Sequence, residues 1–153
     1  MNGEEPRVIV YICNWNAYSA LETAGAQGLS YPANVYPIRV MCLGRLHPGL
    51  ILKAFELGAA GVLLLGCRPG ECHYGFGNRQ AEELFQETAA LARLLGIGEE
   101  RLKLDWVAAG QGQDFVFKVR QFIEGMKEGN KTPPAILKKR KAASCGYLVT
   151  GGG

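Results

Sequence analysis

The chain has 153 residues, a length that suits one domain large enough to bury a core without disulfide staples. Apolar residues make up 48% of it and charged residues 20%, which is ordinary for a globular protein. The N-terminal residues lack the basic start of a secretory signal, and no apolar run approaches the roughly 20 residues that a membrane span requires. We therefore expect a soluble, cytoplasmic protein whose five cysteines are thiols, metal ligands or redox groups rather than disulfides.

The net charge of +3 is concentrated at the C-terminal end. Before position 130 there are 12 basic and 14 acidic residues, so the body of the chain is slightly acidic. The remaining residues contain no acid and five basic side chains, namely Lys131, Lys138, Lys139, Arg140 and Lys141. A Pro-Pro pair and a triple-glycine end also mark this segment as different. We predict a folded domain at 1–129 and a basic C-terminal extension at 130–153.

Apolar runs alternate with helical patterns along the body. The predicted strands are 7–12, 35–41, 60–65 and 102–107. The predicted helices are 17–27, 48–57, 79–95 with Asn78 as its cap, and 112–129. Pro37 places the second strand at a sheet edge or at its own beginning, because proline cannot donate to a ladder. This order predicts a three-layer α/β domain of flavodoxin-like type with a mainly parallel four-stranded sheet.

Cysteines stand just after three of the predicted strands. Cys13 follows the first strand, Cys42 the second and Cys67 the third, and Cys72 lies in the same loop as Cys67. Because the strands of a parallel sheet point the same way, the segments that follow them gather at one edge, where open α/β folds bind ligands. We therefore predict that these four thiols converge as ligands of either a tetrahedral zinc or an iron–sulfur cluster.

The surroundings of the cysteines favour the cluster. Structural zinc sites usually draw ligands from closely spaced cysteine pairs, and only Cys67 and Cys72 offer a loose version. The glycines of these loops would let backbone amides approach bridging sulfurs and tune a reduction potential; they stand at positions 44, 66, 70, 75 and 77. Cys145, in the extension, is expected to be a free thiol.

Other residues beside the cysteines allow more than one interpretation. We expect His47 and His73 to form hydrogen bonds rather than to complete a ligand set. Trp15 and Tyr74 either shield a cluster from water or belong to the core. The glycines after Leu65 form neither a G-x-G-x-x-G nor a Walker motif, and no Ser-His-Asp arrangement is visible. We expect no catalytic residues and no nucleic-acid partner.

Three stretches together resemble a known family. They are CNWNAYSALETAG from Cys13, YPANVYPIRVMCLGRLHPG from Tyr31 and AAGVLLLGCRPGECHYGFGN from Ala59. From about Val8 to Met126, the chain resembles the delta subunit of methyl-viologen-reducing, F420-non-reducing hydrogenase, the MvhD family. The usual pattern of that family at the first site is C-x-W-C, whereas Asn16 stands here in place of the second cysteine.

The resemblance implies an MvhD-like iron–sulfur domain at 1–129 that carries one [2Fe-2S] cluster on Cys13, Cys42, Cys67 and Cys72. Such a subunit works in a hetero-oligomer. It passes electrons between a hydrogenase or formate dehydrogenase module and a heterodisulfide-reductase-type flavoprotein subunit, and it is an electron carrier rather than a catalyst.

Two other functions remain open at this point. One is a cluster-free redox protein in which Cys67 and Cys72 cycle between thiols and a disulfide, although four intervening residues suit this less well than C-x-x-C. The other is a structural zinc adaptor module. Colour separates these hypotheses, because an anaerobically purified cluster protein is brown and the other two are colourless.

Overall fold

The structure, a computed structural model, describes residues 5–129. Four strands alternate with four helices in this range. The elements are β1 (Val8–Cys13), α1 (Asn16–Ala26), β2 (Val35–Val40), α2 (Pro48–Glu56), β3 (Gly61–Cys67), α3 (Gly77–Leu94), β4 (Leu102–Val107) and α4 (Gly112–Gly129). Short 3₁₀ turns at Leu43–Arg45 and Glu99–Arg101 precede α2 and β4. The predicted basic extension and Cys145 lie outside the described residues.

The four strands form one sheet in the order β2-β1-β3-β4, and every neighbouring pair is parallel. This is the strand order of flavodoxin-like sheets with one strand fewer. The predicted three-layer α/β architecture is therefore confirmed. β2 lies at an edge, as Pro37 indicated, and Pro37 pairs in register with Val10 of β1.

The two central strands owe their position to uninterrupted apolar sequence. All seven residues of β3 are buried, and so are five of the six residues of β1. A strand covered on both faces has a continuous apolar run instead of an alternating one. One core results, which the sheet shares with the helices on both of its faces.

The helices cover the sheet in two pairs. α1 packs against α4, and α2 packs against α3. Gly112 permits the close approach of α4 to α1, since a Cβ at this position would lie 2.6 Å from the backbone nitrogen of Ala24. Within residues 5–129, no helix is both long and apolar enough to span a membrane.

The structure corrects the predicted boundaries in two places that matter for the site. Cys13 and Cys67 do not follow their strands; each is the last residue of its strand. Asn78 does not cap α3, because the helix begins at Gly77 with Phe76 in the cap position. The Asn78 side chain instead accepts a hydrogen bond from the amide of Arg79 and donates one to the carbonyl of Arg68, 3.3 Å away. The side chain of Asn78 therefore stabilises the loop that holds Cys72 instead of capping the helix.

Candidate metal centre

The carboxyl ends of β1 and β3 form the point where the strand order reverses. The chain runs from β1 outward to β2 and then returns past β1 to β3, so a crevice opens between the ends of β1 and β3. Cys13 and Cys67 are the last residues of these two strands. Their sulfurs lie 3.4 Å apart, and both residues are buried.

Cys42 and Cys72 form a second pair beside the first. Cys42 follows β2 and is buried, whereas Cys72 is partly exposed in the loop between β3 and α3. Gly77 lies against both sulfurs: a Cβ there would overlap the Cys42 Sγ and lie 3.0 Å from the Cys72 Sγ. The missing side chain of Gly77 is thus what leaves room for two sulfur atoms.

All four cysteines line a single small cleft. It is completed by Leu43, Gly66, Gly77, Asn78 and Trp106. The convergence predicted from the strand ends is present, although the thiols are grouped two by two and not around one central point. Among residues 5–129, no three Cys, His, Asp or Glu side chains come close enough to hold a single metal ion. The assignment of the cysteines as ligands stays a prediction.

Backbone amides donate hydrogen bonds to the sulfurs of both members of the Cys13–Cys67 pair. The amide of Ala17 donates to the Cys13 Sγ at 3.4 Å, and the amide of Trp15 also donates to it. Cys67 accepts from the amides of Asn16 and His73. These donors come from the start of α1 and from the loop before α3, so the local backbone folds around the Cys13–Cys67 pair.

The acidities of the thiols follow from these contacts. The hydrogen bond from Cys13 holds the pKa of Cys67 below its usual value, and the amides of Asn16 and His73 act in the same direction against burial. The hydrogen bond to Cys67, together with burial, raises the pKa of Cys13. Burial also raises the pKa of Cys42, although the amide of Gly44 opposes it. The Cys13–Cys67 pair therefore holds a single proton more readily than two.

Some of the predicted glycines lie at the cleft, and others are needed for the conformation of the loop. Gly44 donates its amide to Cys42, and Gly66 and Gly77 leave space in the cleft. A Cβ at Gly66 would collide with the Trp106 ring, 2.7 Å away. Gly70 and Gly75 have φ of +84° and +77°, a conformation that glycine adopts without strain. Only some of the predicted glycines therefore approach the thiols.

The two histidines have different surroundings. His47 accepts a hydrogen bond from the amide of Gly49 and caps α2. His73 stacks on Trp15, with ring centroids 3.6 Å apart and planes at 17°. Tyr74 meets both rings edge-on. Trp15 and Tyr74 are exposed and so are not core aromatics.

The sequence indicated neither Trp106 nor Glu71 as a site residue. Trp106 closes the cleft from β4, which carries no cysteine to draw attention to it. Glu71 accepts a hydrogen bond of 2.8 Å from the side chain of buried Asn16. This contact ties the start of α1 to the loop that holds Cys72, at the position where the sequence departs from C-x-W-C.

Residues 8–129 match the model of a protein family described as methyl-viologen-reducing hydrogenase, delta subunit. The chain belongs to this family. The match covers every helix and strand of the described structure. The resemblance drawn from the sequence is therefore confirmed.

Members of this delta-subunit family occur both as small proteins and within longer chains. An iron–sulfur subunit of the F420-non-reducing hydrogenase vhc from Methanococcus voltae is 38% identical over 123 residues, which cover 80% of this chain and 85% of that relative. An iron–sulfur subunit of an F420-non-reducing hydrogenase from Archaeoglobus profundus is 39% identical over 118 residues, covering 77% and 86%.

The longer relative belongs to a different enzyme. It is a subunit of the ferredoxin:CoB-CoM heterodisulfide reductase from Methanosarcina mazei, and it is 34% identical over 123 residues. The matched stretch covers 80% of this chain but only 16% of that relative. The same delta-subunit domain is thus found as one part of a much larger polypeptide.

Proposed function

We propose that this chain is an electron-transfer subunit that carries one [2Fe-2S] cluster on Cys13, Cys42, Cys67 and Cys72. It passes electrons between a hydrogenase or formate dehydrogenase module and a heterodisulfide-reductase-type flavoprotein subunit. The observation that carries this proposal is the grouping of four thiols into two pairs around one cleft.

The donor set suits such a cluster. Four cysteine thiolates hold a [2Fe-2S] cluster, with two ligands on each iron. The Cys13–Cys67 pair would serve one iron and the Cys42–Cys72 pair the other. When bound, the cluster supplies reversible one-electron storage. A tetrahedral zinc instead needs four sulfurs around one point, which the two-by-two arrangement offers less well.

The protein's own groups have two tasks at this site. The amides of Trp15, Asn16, Ala17, Gly44 and His73 donate to the sulfurs and stabilise negative charge on them. Burial of three of the four cysteines limits the access of water. Both effects set a reduction potential, whereas no described group is positioned to act on an organic substrate.

The names of the relatives support the choice of partners. The two small relatives are named iron–sulfur subunits of F420-non-reducing hydrogenases, and the larger is named as a subunit of a heterodisulfide reductase. A domain that is separate in one assembly and fused in another is expected to serve a junction between them. The formate dehydrogenase module rests on the resemblance alone.

The structure indicates a different cysteine pair for the dithiol alternative. Cys67 contacts the sulfur of Cys13, so a redox-active pair would consist of these two residues instead of Cys67 and Cys72. The lowered pKa of Cys67 favours a reactive thiolate. Cys13 is only 3% exposed and Cys67 only 5%, whereas thiols that exchange with other proteins must be reached by them. We therefore prefer the cluster.

Metal analysis after anaerobic purification tests the proposal. We expect about two irons and two acid-labile sulfides per chain, and visible absorption that bleaches on reduction. Serine at any of the four cysteines should lower the iron content, and Cys145→Ser is the matched control that should not. One tightly bound zinc per chain without iron would overturn the proposal, and a colourless protein with a Cys13–Cys67 disulfide would favour the dithiol.

A further inference from the structure

An open groove of about 910 Å³ lies beside the candidate cluster site, between the end of β2, the start of α2 and the loop before α3. Apolar side chains dominate its lining. They include Met41, Leu46, Leu50, Tyr74 and Phe76. A second cavity of about 260 Å³ adjoins it, because Leu50 lines both. We call the two together the Leu50 groove.

Several large apolar side chains that line the Leu50 groove are exposed to solvent. Met41 is 58% exposed, Phe76 60% and Leu57, in the second cavity, 66%. Leu50, Ile38 and Tyr74 are also exposed large apolar residues of the same lining. Contiguous exposure of this kind marks interaction sites on soluble proteins, since single apolar residues are common but clusters of them are not.

Cys42 connects the groove to the candidate cluster site. Among the described residues, it alone lines both the groove and the cleft of the four cysteines. A protein segment that fills the groove would therefore contact a ligand of the cluster directly. Electron transfer slows steeply with distance. A partner that binds in the groove would therefore be close enough to the proposed cluster for rapid electron transfer.

The charges around the groove indicate the chemistry of the occupant. Within the described part of the chain, three charged residues line the two cavities and all three are basic: Arg45 in the larger one, and Arg7 and Lys53 in the smaller. Lys53 also pairs with Glu56 at 3.0 Å on the surface of α2. A complementary partner presents apolar side chains flanked by acidic ones.

We propose that the Leu50 groove is the docking surface for the heterodisulfide-reductase-type flavoprotein subunit, through an apolar segment flanked by acidic residues. This rests on the proposed function. That partner is chosen because a stretch similar to this chain is a covalent part of a heterodisulfide reductase polypeptide in Methanosarcina mazei, which keeps the domain close to the rest of that subunit. Docking at the groove would place the flavoprotein subunit against Cys42.

Charge insertion tests the docking with a closely matched control. Phe76 and Phe117 are 60% and 61% exposed, but Phe117 lies on α4 and lines a different cavity. Phe76→Glu should weaken binding of the anaerobically purified chain to the purified flavoprotein subunit of the same organism by about tenfold or more, as loss of an interface anchor does. Phe117→Glu should bind like the unchanged chain. Leu50→Glu provides a second variant, away from the cleft of the cysteines, should Phe76→Glu lose iron.

Charge reversal tests the acidic character of the occupant. Arg45→Glu should weaken binding and make it less sensitive to salt, whereas Lys127→Glu, at an exposed position on α4, should change neither. Iron content is measured for every variant. Light scattering of each variant also reports whether the groove joins two copies of the chain.

The outcomes separate the docking surface from the function. If all variants with intact iron bind the flavoprotein subunit equally well, the groove is not its docking surface. The proposed electron-carrier function would not be affected by that result. Loss of binding to the hydrogenase subunits alone, or loss of self-association alone, would assign the groove to another occupant and also overturn the proposal. If the unchanged chain contains no iron, the proposed function itself fails.

Discussion

Gly77 is the first residue of α3 and lies against the sulfurs of Cys42 and Cys72. A methyl group there would overlap the Cys42 Sγ. We expect Gly77→Ala to displace one sulfur or the start of the helix, and therefore to reduce the iron bound per chain by at least half. Iron analysis and the visible spectrum after anaerobic purification measure this effect.

Gly125→Ala is the control for that substitution. Gly125 lies in α4, and a Cβ there would meet no atom within 4 Å. Alanine is better suited than glycine to a helix interior by about 0.5–1 kcal/mol, so this variant should keep its iron and become slightly more stable. Full iron content in Gly77→Ala would contradict the need for glycine at this position.

Asp105, a partly buried residue of β4, is stabilised by hydrogen bonds to its carboxylate. Lys118 donates to its Oδ1 at 2.8 Å, and the amide of Trp106 donates to the same oxygen. Partial burial raises the pKa of Asp105, but the hydrogen bonds from Lys118 and Trp106 outweigh it and leave that pKa below its usual value. Since the pKa is lowered in the folded state, the stabilisation is present above the unfolded pKa of about 3.9 and is lost as the pH falls through the folded value.

Asp105→Asn should therefore reduce the free energy of unfolding by about 1–2 kcal/mol at pH 7. The difference from the unchanged chain should shrink as the pH falls below about 4. Urea unfolding followed by tryptophan fluorescence at several pH values measures it. Glu83→Gln, which removes an exposed ion pair with Arg79 of 3.6 Å, is the control and should have little effect at any pH. A difference that grows toward acid pH would contradict a lowered pKa of Asp105 in the folded state.

At the scale of elements, the site depends on how two loops are held together. The segment after β1 carries Trp15 and the segment after β3 carries His73, and their stacked rings join the two. The hydrogen bond from Asn16 to Glu71 joins the same segments. Because Cys13 and Cys72 lie in or beside these segments, their separation depends on both contacts.

Trp15→Ala should loosen this connection without unfolding the domain. An aromatic pair contributes about 0.5–1.5 kcal/mol beyond the area it buries, so we expect several-fold faster loss of visible absorption in the presence of an iron chelator. Phe117→Ala removes another exposed aromatic ring, away from the cleft, and should lose colour at the rate of the unchanged chain. Equal rates for all three proteins would mean that the Trp15–His73 stack does not hold the loops.

At the scale of the whole molecule, the chain has a candidate cluster site and an exposed apolar surface beside it. The cleft of the four cysteines opens at the reversal of strand order, and the Leu50 groove adjoins it. Under the proposed electron-carrier function, turnover of hydrogen or of an organic substrate is expected only in an assembly with the partner subunits.

Hydrogen-dependent reduction tests this expectation. The isolated chain should be bleached by dithionite but not by hydrogen gas. Adding the hydrogenase subunits of the same organism should make the bleaching depend on hydrogen. After the hydrogen is removed, an excess of the oxidised flavoprotein subunit should accept the electrons and restore the oxidised spectrum of the chain. Reduction of the isolated chain by hydrogen would contradict a purely electron-carrying role.

The fold class and the edge of the sheet that carries the cysteines follow from local sequence patterns. Continuous apolar runs predict buried parallel strands, and strand ends of a parallel sheet must meet at one edge. This is why Cys13, Cys42, Cys67 and Cys72 could be grouped although up to 59 positions separate them in the chain. The hydrogen bond predicted for His47 is present, whereas the side chain of His73 stacks on Trp15.

The pairing of these cysteines and their surroundings depend instead on the three-dimensional fold. The strand order places β1 beside β3, which brings Cys13 against Cys67 and leaves Cys42 with Cys72. Such proximity depends on which strands are neighbours, and spacing along the chain does not encode it. The same holds for Trp106, which reaches the cleft from β4, and for the Leu50 groove, whose residues come from separate segments. Local patterns report burial and periodicity, whereas a site is made by contacts between distant segments.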